Sequence, residues 1–156
     1  MDPKIVDELY AASQAGARID IIARSTCALR PGVEGVSENI HVRSIVGRFL
    51  EHSRIYSFEA DERVATYIGS PDLMQRNLDH RIEVLMPVEN ARVRAEVHAI
   101  LDSALADDTN AWILMPSGDW ERAVPAKPDK PHSHHETMMR RALKRARRGA
   151  RDRRAG

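Results

Sequence analysis

Short runs rich in β-branched residues alternate along this chain with stretches whose apolar residues recur at helical spacing. A strand exposes two faces and a helix one stripe, so such an alternation predicts an α/β architecture in which helices cover a sheet. The first helix is written plainly: Asp2 caps, Pro3 occupies the first turn, Ile5, Val6, Leu9, Ala12 and Ala15 follow helical spacing, and Gly16 stops it. ARIDIIAR, residues 17–24, is short and isoleucine-rich, as buried strands are. The stretch after it carries Pro31, Gly32 and Gly35 and reads as a loop at the strand's carboxyl end, where ligands commonly bind. Ser37 and Asn39 are placed to cap that loop.

Residues 40–48 and 52–58 read as two strands separated by a bend near Gly47 to Glu51. A turn at EADER leads to the strand VATYIGS, and after a polar loop, SPDLMQRNLDH, the run RIEVLMPV reads as another. From Glu89 or Asn90 a helix runs to about Leu105, with Val93, Val97, Ile100, Leu101, Ala104 and Leu105 on one stripe. WILM and WERAV flank PSGD as a terminal hairpin. The 156 residues suit one domain, residues 1–124, rather than two. Residues 125–136 contain three prolines and no apolar period, which predicts a linker whose His132, His134 and His135 face solvent rather than a metal. Residues 137–156 read as a basic tail, helical or disordered.

Charge is distributed unevenly. Residues 140–156 carry nine Arg and Lys against Asp152 alone, a net +8, while the other 139 residues carry fifteen against twenty-two, a net −7. An acidic body therefore bears a basic arm suited to a polyanion such as polyphosphate, nucleic acid or an anionic membrane surface, or simply to solvent. No apolar run is long enough to span a bilayer, the start MDPKIVDELY lacks the pattern of a leader, and Cys27 has no second cysteine to pair with. A cytoplasmic setting is expected, with a peripheral contact at the membrane open to the basic arm.

The chemistry-bearing stretch is residues 51–84. His52 and Arg54 are two apart, so in a strand they project from one face. Imidazole can accept a phosphoryl group or move a proton near neutral pH, and guanidinium gives fixed donors to phosphate oxygens. Glu59 follows as an acid able to orient a histidine, and Gly69-Ser70 opens a loop in which Ser70 could donate to phosphate. This order, H-x-R, an acid, then G-S-x-D, loosely resembles the phospholipase D superfamily pattern. Arg54, Glu59 and Asp72 stand where lysine, aspartate and asparagine are usual.

Longer words narrow the resemblance. LRPGVEGVSENIHVRSIVGRFLEHSRIYSF followed by YIGSPDLMQRNLDHRIEVLMPV is closely similar to the second carboxy-terminal domain of type 1 polyphosphate kinases, across about residues 3–124. The resemblance implies a phospholipase D-like sheet flanked by helices as a single lobe. It implies ATP and polyphosphate as substrates, with Mg2+ held through a facing lobe. Arg24, His52 and Arg81 match residues placed beside the ATP phosphates, with His52 as the catalytic member, while Arg54, Glu59 and Ser70 are supporting candidates on their spacing and chemistry alone. A salt bridge from Arg24 to Glu83 or Asp79 is the structural alternative. Arg43, Arg48 and Arg76 could line a polyphosphate channel or be ordinary surface arginines. The sequence departs from the family at Ser25, where glycine is usual, and at Pro71 and Leu73, where the word S-A-D-W-M loses its tryptophan.

In that family ATP phosphorylates a histidine on the preceding domain, and the phosphohistidine passes its phosphate to polyphosphate. This sequence shows no counterpart of that histidine. The expectation is a fragment or split subunit that works with a companion chain, within a family that forms homo-oligomers, with no specific nucleic acid as partner. Two other readings stay open. One is a homodimeric phosphodiesterase with two copies of His52 face to face, and the other is a noncatalytic module binding nucleotide or polyanion through Arg24, Arg81 and the tail.

Overall fold

The computed structural model describes residues 1–24, 26–125 and 127–155, the last five by backbone alone. The departure at Ser25 thus lies outside the described residues, as do Ala126 in the segment read as a linker and Gly156 at the end of the tail. The elements run α1 (Pro3–Gln14), β1 (Ile19–Ile22), β2 (Ile40–Ile45), β3 (Ile55–Ala60), β4 (Arg63–Gly69), α2 (Gln75–Asp79), β5 (Leu85–Pro87), α3 (Ala91–Leu105), β6 (Ala111–Leu114), β7 (Trp120–Arg122) and α4 (His134–Ala155). The α/β class read from the sequence holds.

The strands divide between two sheets. The larger has the order β1-β2-β6-β7, with β1 and β2 parallel and the other pairs antiparallel. Parallel pairing needs a crossover, which the glycine-containing loop 23–39 supplies. The smaller sheet is an antiparallel meander, β3-β4-β5, turned at Asp61, whose positive φ of 54° suits a tight hairpin.

Local chemistry explains most element ends. Asp2 accepts from the backbone of Lys4 and Ile5 at 2.9 and 3.3 Å, and its own amide donates to the Leu73 carbonyl, tying α1 to the loop before α2. Gly16, at φ +90°, closes α1, and the Asn90 side chain caps α3. The α1 stripe (Val6, Leu9, Tyr10) covers a core of Leu29, Ile40, Val42 and Leu114 on one face of the larger sheet. On the smaller sheet, His98 of α3 meets Thr66 at 2.8 Å and Ser57 at 3.4 Å, so α3 lies over the face carrying those two residues.

Three segments differ from the sequence reading. The strand expected at 81–88 forms only at Leu85–Pro87, because Glu83 turns back to hydrogen-bond Ser70 and Asn77, leaving Ile82 fully exposed. Gln75–Asp79, read as polar loop, makes one helical turn. The segment read as a solvent-facing linker ends in a buried turn. Ser133, His134 and His135 are all buried, and α4 starts at His134. Asp107, itself buried, accepts from the amides of Asn110 and Ala111 and from that of His134 at 2.8 Å, so one carboxylate fixes both the turn after α3 and the start of α4.

Candidate phosphate site

Arg24 lies just beyond the carboxyl end of β1, the position its place in the sequence suggested. It meets the loop that follows β4. Nη2 donates to both oxygens of Asp72, at 2.8 and 2.6 Å, while Arg54 Nε donates to Asp72 Oδ1 at 3.1 Å. Burial resists ionisation of Asp72, but hydrogen bonds from Arg54 and Arg24 outweigh it and hold its carboxyl below the ordinary range. The salt bridge raised as an alternative for Arg24 therefore exists, but with Asp72 rather than Glu83 or Asp79.

His52 and Arg54 come together without being in a strand, since β3 begins at Ile55. Arg54 Nη1 sits 2.7 Å from His52 Nδ1 and 3.2 Å from Nε2, and donates to the His52 carbonyl at 3.0 Å. A single guanidinium thus orients the exposed imidazole through Nη1 and grips Asp72 through Nε. The Arg54 carbonyl in turn accepts from the Gly69 amide at 3.1 Å, joining the His52 segment to the β4 end. Arg24, Arg54, Asp72 and His52 form one hydrogen-bonded chain spanning both sheets.

Ser70 and Arg81 border this cluster. Ser70 donates to Glu83 and accepts from the Val84 amide at 3.0 Å, so its hydroxyl is committed within the protein. The hydrogen bonds from Ser70 and Asn77 draw the Glu83 carboxyl below its usual range, with the Arg81 charge adding to them. Arg81 itself is exposed and makes no ion pair within 4 Å among the described residues. Tyr56 donates to the Pro71 carbonyl at 2.8 Å, and burial, then the Asp72 charge, pushes its hydroxyl pKa up.

Other sequence candidates go elsewhere. Glu59 lies two residues from Ser57 along β3, so it shares the face that meets α3 and approaches His98 at 4.0 Å rather than His52. Arg43 donates to the carbonyls of Leu105 and Asp107 at the end of α3, a C-capping role that removes it from any channel. Arg48 packs on the Phe49 ring at 5.7 Å, and Arg76 is exposed on α2. Ser37 is fully buried and closes the 30–37 turn, while Asn39 bonds to Ser13 in α1, so both are structural.

Behind His52 stands a second cluster that sequence reading missed. Glu51 accepts from His135 Nε2 at 2.7 Å and lies 3.5 Å from His134 Nε2. Hydrogen bonding to His134 lowers its carboxyl most, burial opposes this, and His135 lowers it further; the His135 contact is nonetheless the shorter and, by geometry, the firmer. His134 Nδ1 continues to Ser103 at 3.1 Å, and Ser103 to His132. With Nε2 donating to Glu51, the buried Nδ1 of His135 is left without a partner. A visible cue was Ser133-x-x-Glu136, the spacing of a helix-capping box, with Ser133 Oγ accepting from the Glu136 amide at 3.4 Å.

Among the described residues no group of three or more His, Cys, Asp or Glu side chains is arranged to hold a metal ion. The one carboxylate at the cluster, Asp72, is engaged by two guanidiniums, so these residues do not fit a magnesium ion.

An α/β domain with a histidine and two arginines chained at the end of a strand is what the fold and cluster define. The family model for polyphosphate kinase C-terminal domain 2 matches residues 1–134, and the chain belongs to that family. It is 50% identical over 141 residues to the polyphosphate kinase of Mycobacterium leprae, covering 90% of this chain and 19% of that protein. The polyphosphate kinase of Pseudomonas aeruginosa is 49% identical over 140 residues, covering 88% of this chain and 20% of its own length. The crystal structure of polyphosphate kinase from Porphyromonas gingivalis superposes with a TM-score of 0.86 at 34% identity, over 93% of this chain and 22% of that one. The chain thus spans about a fifth of the length of the relatives it matches. No described helix is long and apolar enough to cross a membrane.

Proposed function

We propose that this domain is the phosphate-gripping lobe of an ATP–polyphosphate phosphotransferase, with Arg24, Arg54 and His52 around the transferring phosphoryl group and Arg81 at its margin. The observation that carries this is the chain Arg24–Asp72–Arg54–His52. Two permanent cations are preset by one carboxylate at a strand's carboxyl end, beside an exposed imidazole. Phosphoryl transfer asks chiefly for positioning and charge stabilisation, which preset guanidiniums supply without reorganising. Arg24 and Arg54 each keep donors beyond those given to Asp72, so phosphate oxygens add to the cluster instead of displacing the carboxylate.

In this reading the γ-phosphate leaves ADP as its P–O bond breaks and a P–N bond forms on a histidine of a facing lobe. That P–N bond then breaks as a terminal oxygen of polyphosphate takes the phosphoryl group. His52 stabilises charge or moves a proton; it is not the nucleophile. A facing lobe also suits the small sheet, whose Phe58 and Leu85 are exposed on the face opposite α3. The working unit is residues 1–124, with 125–136 a connector pinned at its far end by Asp107 and Glu51, and 137–156 an appended arm.

The test is ATP binding by calorimetry, together with polyphosphate synthesis from γ-labelled ATP, on this chain alone and mixed with a chain carrying the facing lobe. The mixture should synthesise polymer, and Arg24→Ala or Arg54→Ala should weaken ATP binding at least about ten-fold, the scale of one lost charge-assisted contact. Synthesis by the isolated chain would overturn the half-site reading. Unchanged ATP affinity in both variants would overturn the assignment of the cluster.

A further inference from the structure

The fold and the cluster around Arg24 leave the most strongly charged part of the molecule unused. In α4, Arg141 donates to the Ala99 carbonyl at 3.4 Å and Arg145 pairs with Glu96 at 3.3 Å, so one side of the helix is laid against α3. Arg140, Leu143, Lys144 and Arg147 recur at the spacing of the outer side, with Arg148 at its edge. None of those four cations makes an ion pair among the described residues. Over their span of about 12 Å of helix, no acidic residue interrupts them. The net charge of residues 1–139 is −7, so a polyanion approaching this protein is repelled by most of its surface and drawn to α4.

Position says more than charge. The first turns of α4 reach the phosphate cluster: Met138 and Met139 line, with His52, Ser53, Glu51 and His135, a cavity of about 430 Å³. The basic face therefore begins where the His52 cavity ends and leads away from it. We infer that this face of α4 is a docking track for linear polyphosphate, holding the polymer whose end is worked on beside His52. The inference rests on the function proposed above.

Two other occupants fit less well. A membrane-lying helix needs an apolar face to sink among lipid chains, and among the described residues of α4 Leu143 is the one large exposed hydrophobe. Single-stranded nucleic acid is held by aromatic stacking as well as charge, and residues 134–155 contain no Phe, Tyr or Trp. A bare phosphate chain needs only spaced cations, and guanidiniums pair with its oxygens in fixed geometry.

The experiment measures binding of end-labelled polyphosphate to the full chain at 50 and 200 mM salt. Single-stranded RNA of equal charge and phosphatidylserine vesicles form parallel arms. Four neutralised phosphates give a log–log salt slope of about −3, or a roughly fifty-fold loss of affinity over that interval, on the single-strand scale. The variant Arg140→Gln/Lys144→Gln/Arg147→Gln/Arg148→Gln keeps good helix formers and should lose at least about ten-fold in polyphosphate affinity and most of the salt slope. The charge-preserving variant with lysine at all three arginines should stay within a few-fold of the parent, and circular dichroism confirms that both retain helix. Unchanged polyphosphate binding in the glutamine variant overturns the inference. RNA binding as tight as polyphosphate, or vesicle binding abolished by the same variant, overturns the choice of polyphosphate. Because ATP binding is read separately through Arg24→Ala, a chain that binds polymer on α4 but no ATP refutes the proposed function and leaves the track standing.

Discussion

Replacing Asp72 by asparagine isolates the one carboxylate on which the cluster is built. The amide keeps the shape and one acceptor oxygen but removes the charge. Asp72 makes three contacts with two guanidiniums, at 2.6, 2.8 and 3.1 Å, and the side chains of Arg24, Arg54 and Asp72 are 24, 16 and 18% exposed. Hydrogen bonds to charged groups contribute about 1.5–3 kcal/mol each, so two partners set an upper bound of about 3–6 kcal/mol. Residual solvent access and the retained amide oxygen remove roughly half, leaving an expected loss of about 1.5–3 kcal/mol at pH 7. For a chain of this size that lowers Tm by about 3–12 °C. Because the folded carboxyl ionises below its unfolded value of about 3.9, its contribution is complete above that value and disappears as pH falls through the lowered folded value. Urea unfolding from pH 7 down to pH 2.5 should therefore show parent and variant converging in acid. A gap of the same size at pH 2.5 and pH 7, or no gap at pH 7, would refute the electrostatic account.

Three further outcomes follow from single contacts. His135→Ala removes the 2.7 Å partner of Glu51 and leaves that carboxylate with its longer contact to His134, which should cost about 2–3 kcal/mol in urea unfolding at pH 7. Since the Glu51 carboxyl is also held low, this difference too should fade as pH falls through its lowered folded value, below its ordinary 4.5; a pH-independent loss would point to packing instead. Glu59→Gln should leave ATP affinity within about two-fold of the parent, because Glu59 approaches His98 on the α3 face of the small sheet, and a ten-fold change in calorimetry would contradict that placement. Gly69→Ala should destabilise by about 1–3 kcal/mol, since a Cβ there runs into the Val84 carbonyl and comes within 2.9 Å of Leu85 Cδ1; an unchanged Tm would mean that the β4–β5 pairing yields.

How much could be read in advance varied with how local the cause was. The caps of α1 and α3, the stop at Gly16, the hairpin around Gly118 and the pairing of His52 with Arg54 were legible because the residues responsible lie within a few positions of one another. Glu59 follows the motif order that places an acid near His52, but the pleat of β3 turns it to the α3 face beside Ser57 and His98. The strand expected at Arg81–Val88 shortened because Glu83 finds partners six and thirteen residues back, which outweigh β-propensity. His134 and His135 looked exposed among prolines; their burial depends on Asp107 and Glu51, residues 27 and 84 positions earlier.

The sequence alone determined the α/β class and the split between an acidic body and a basic arm, since composition, period and charge are properties of neighbours along the chain. Only the tertiary structure decided that one carboxylate, Asp72, joins Arg24 to Arg54, that Arg43 serves a helix end, and that the basic helix starts beside His52. Those outcomes depend on which distant groups satisfy one another when two sheets and four helices pack together. Burial makes an unmatched charge costly, so each carboxylate settles beside the partners that folding brings within reach.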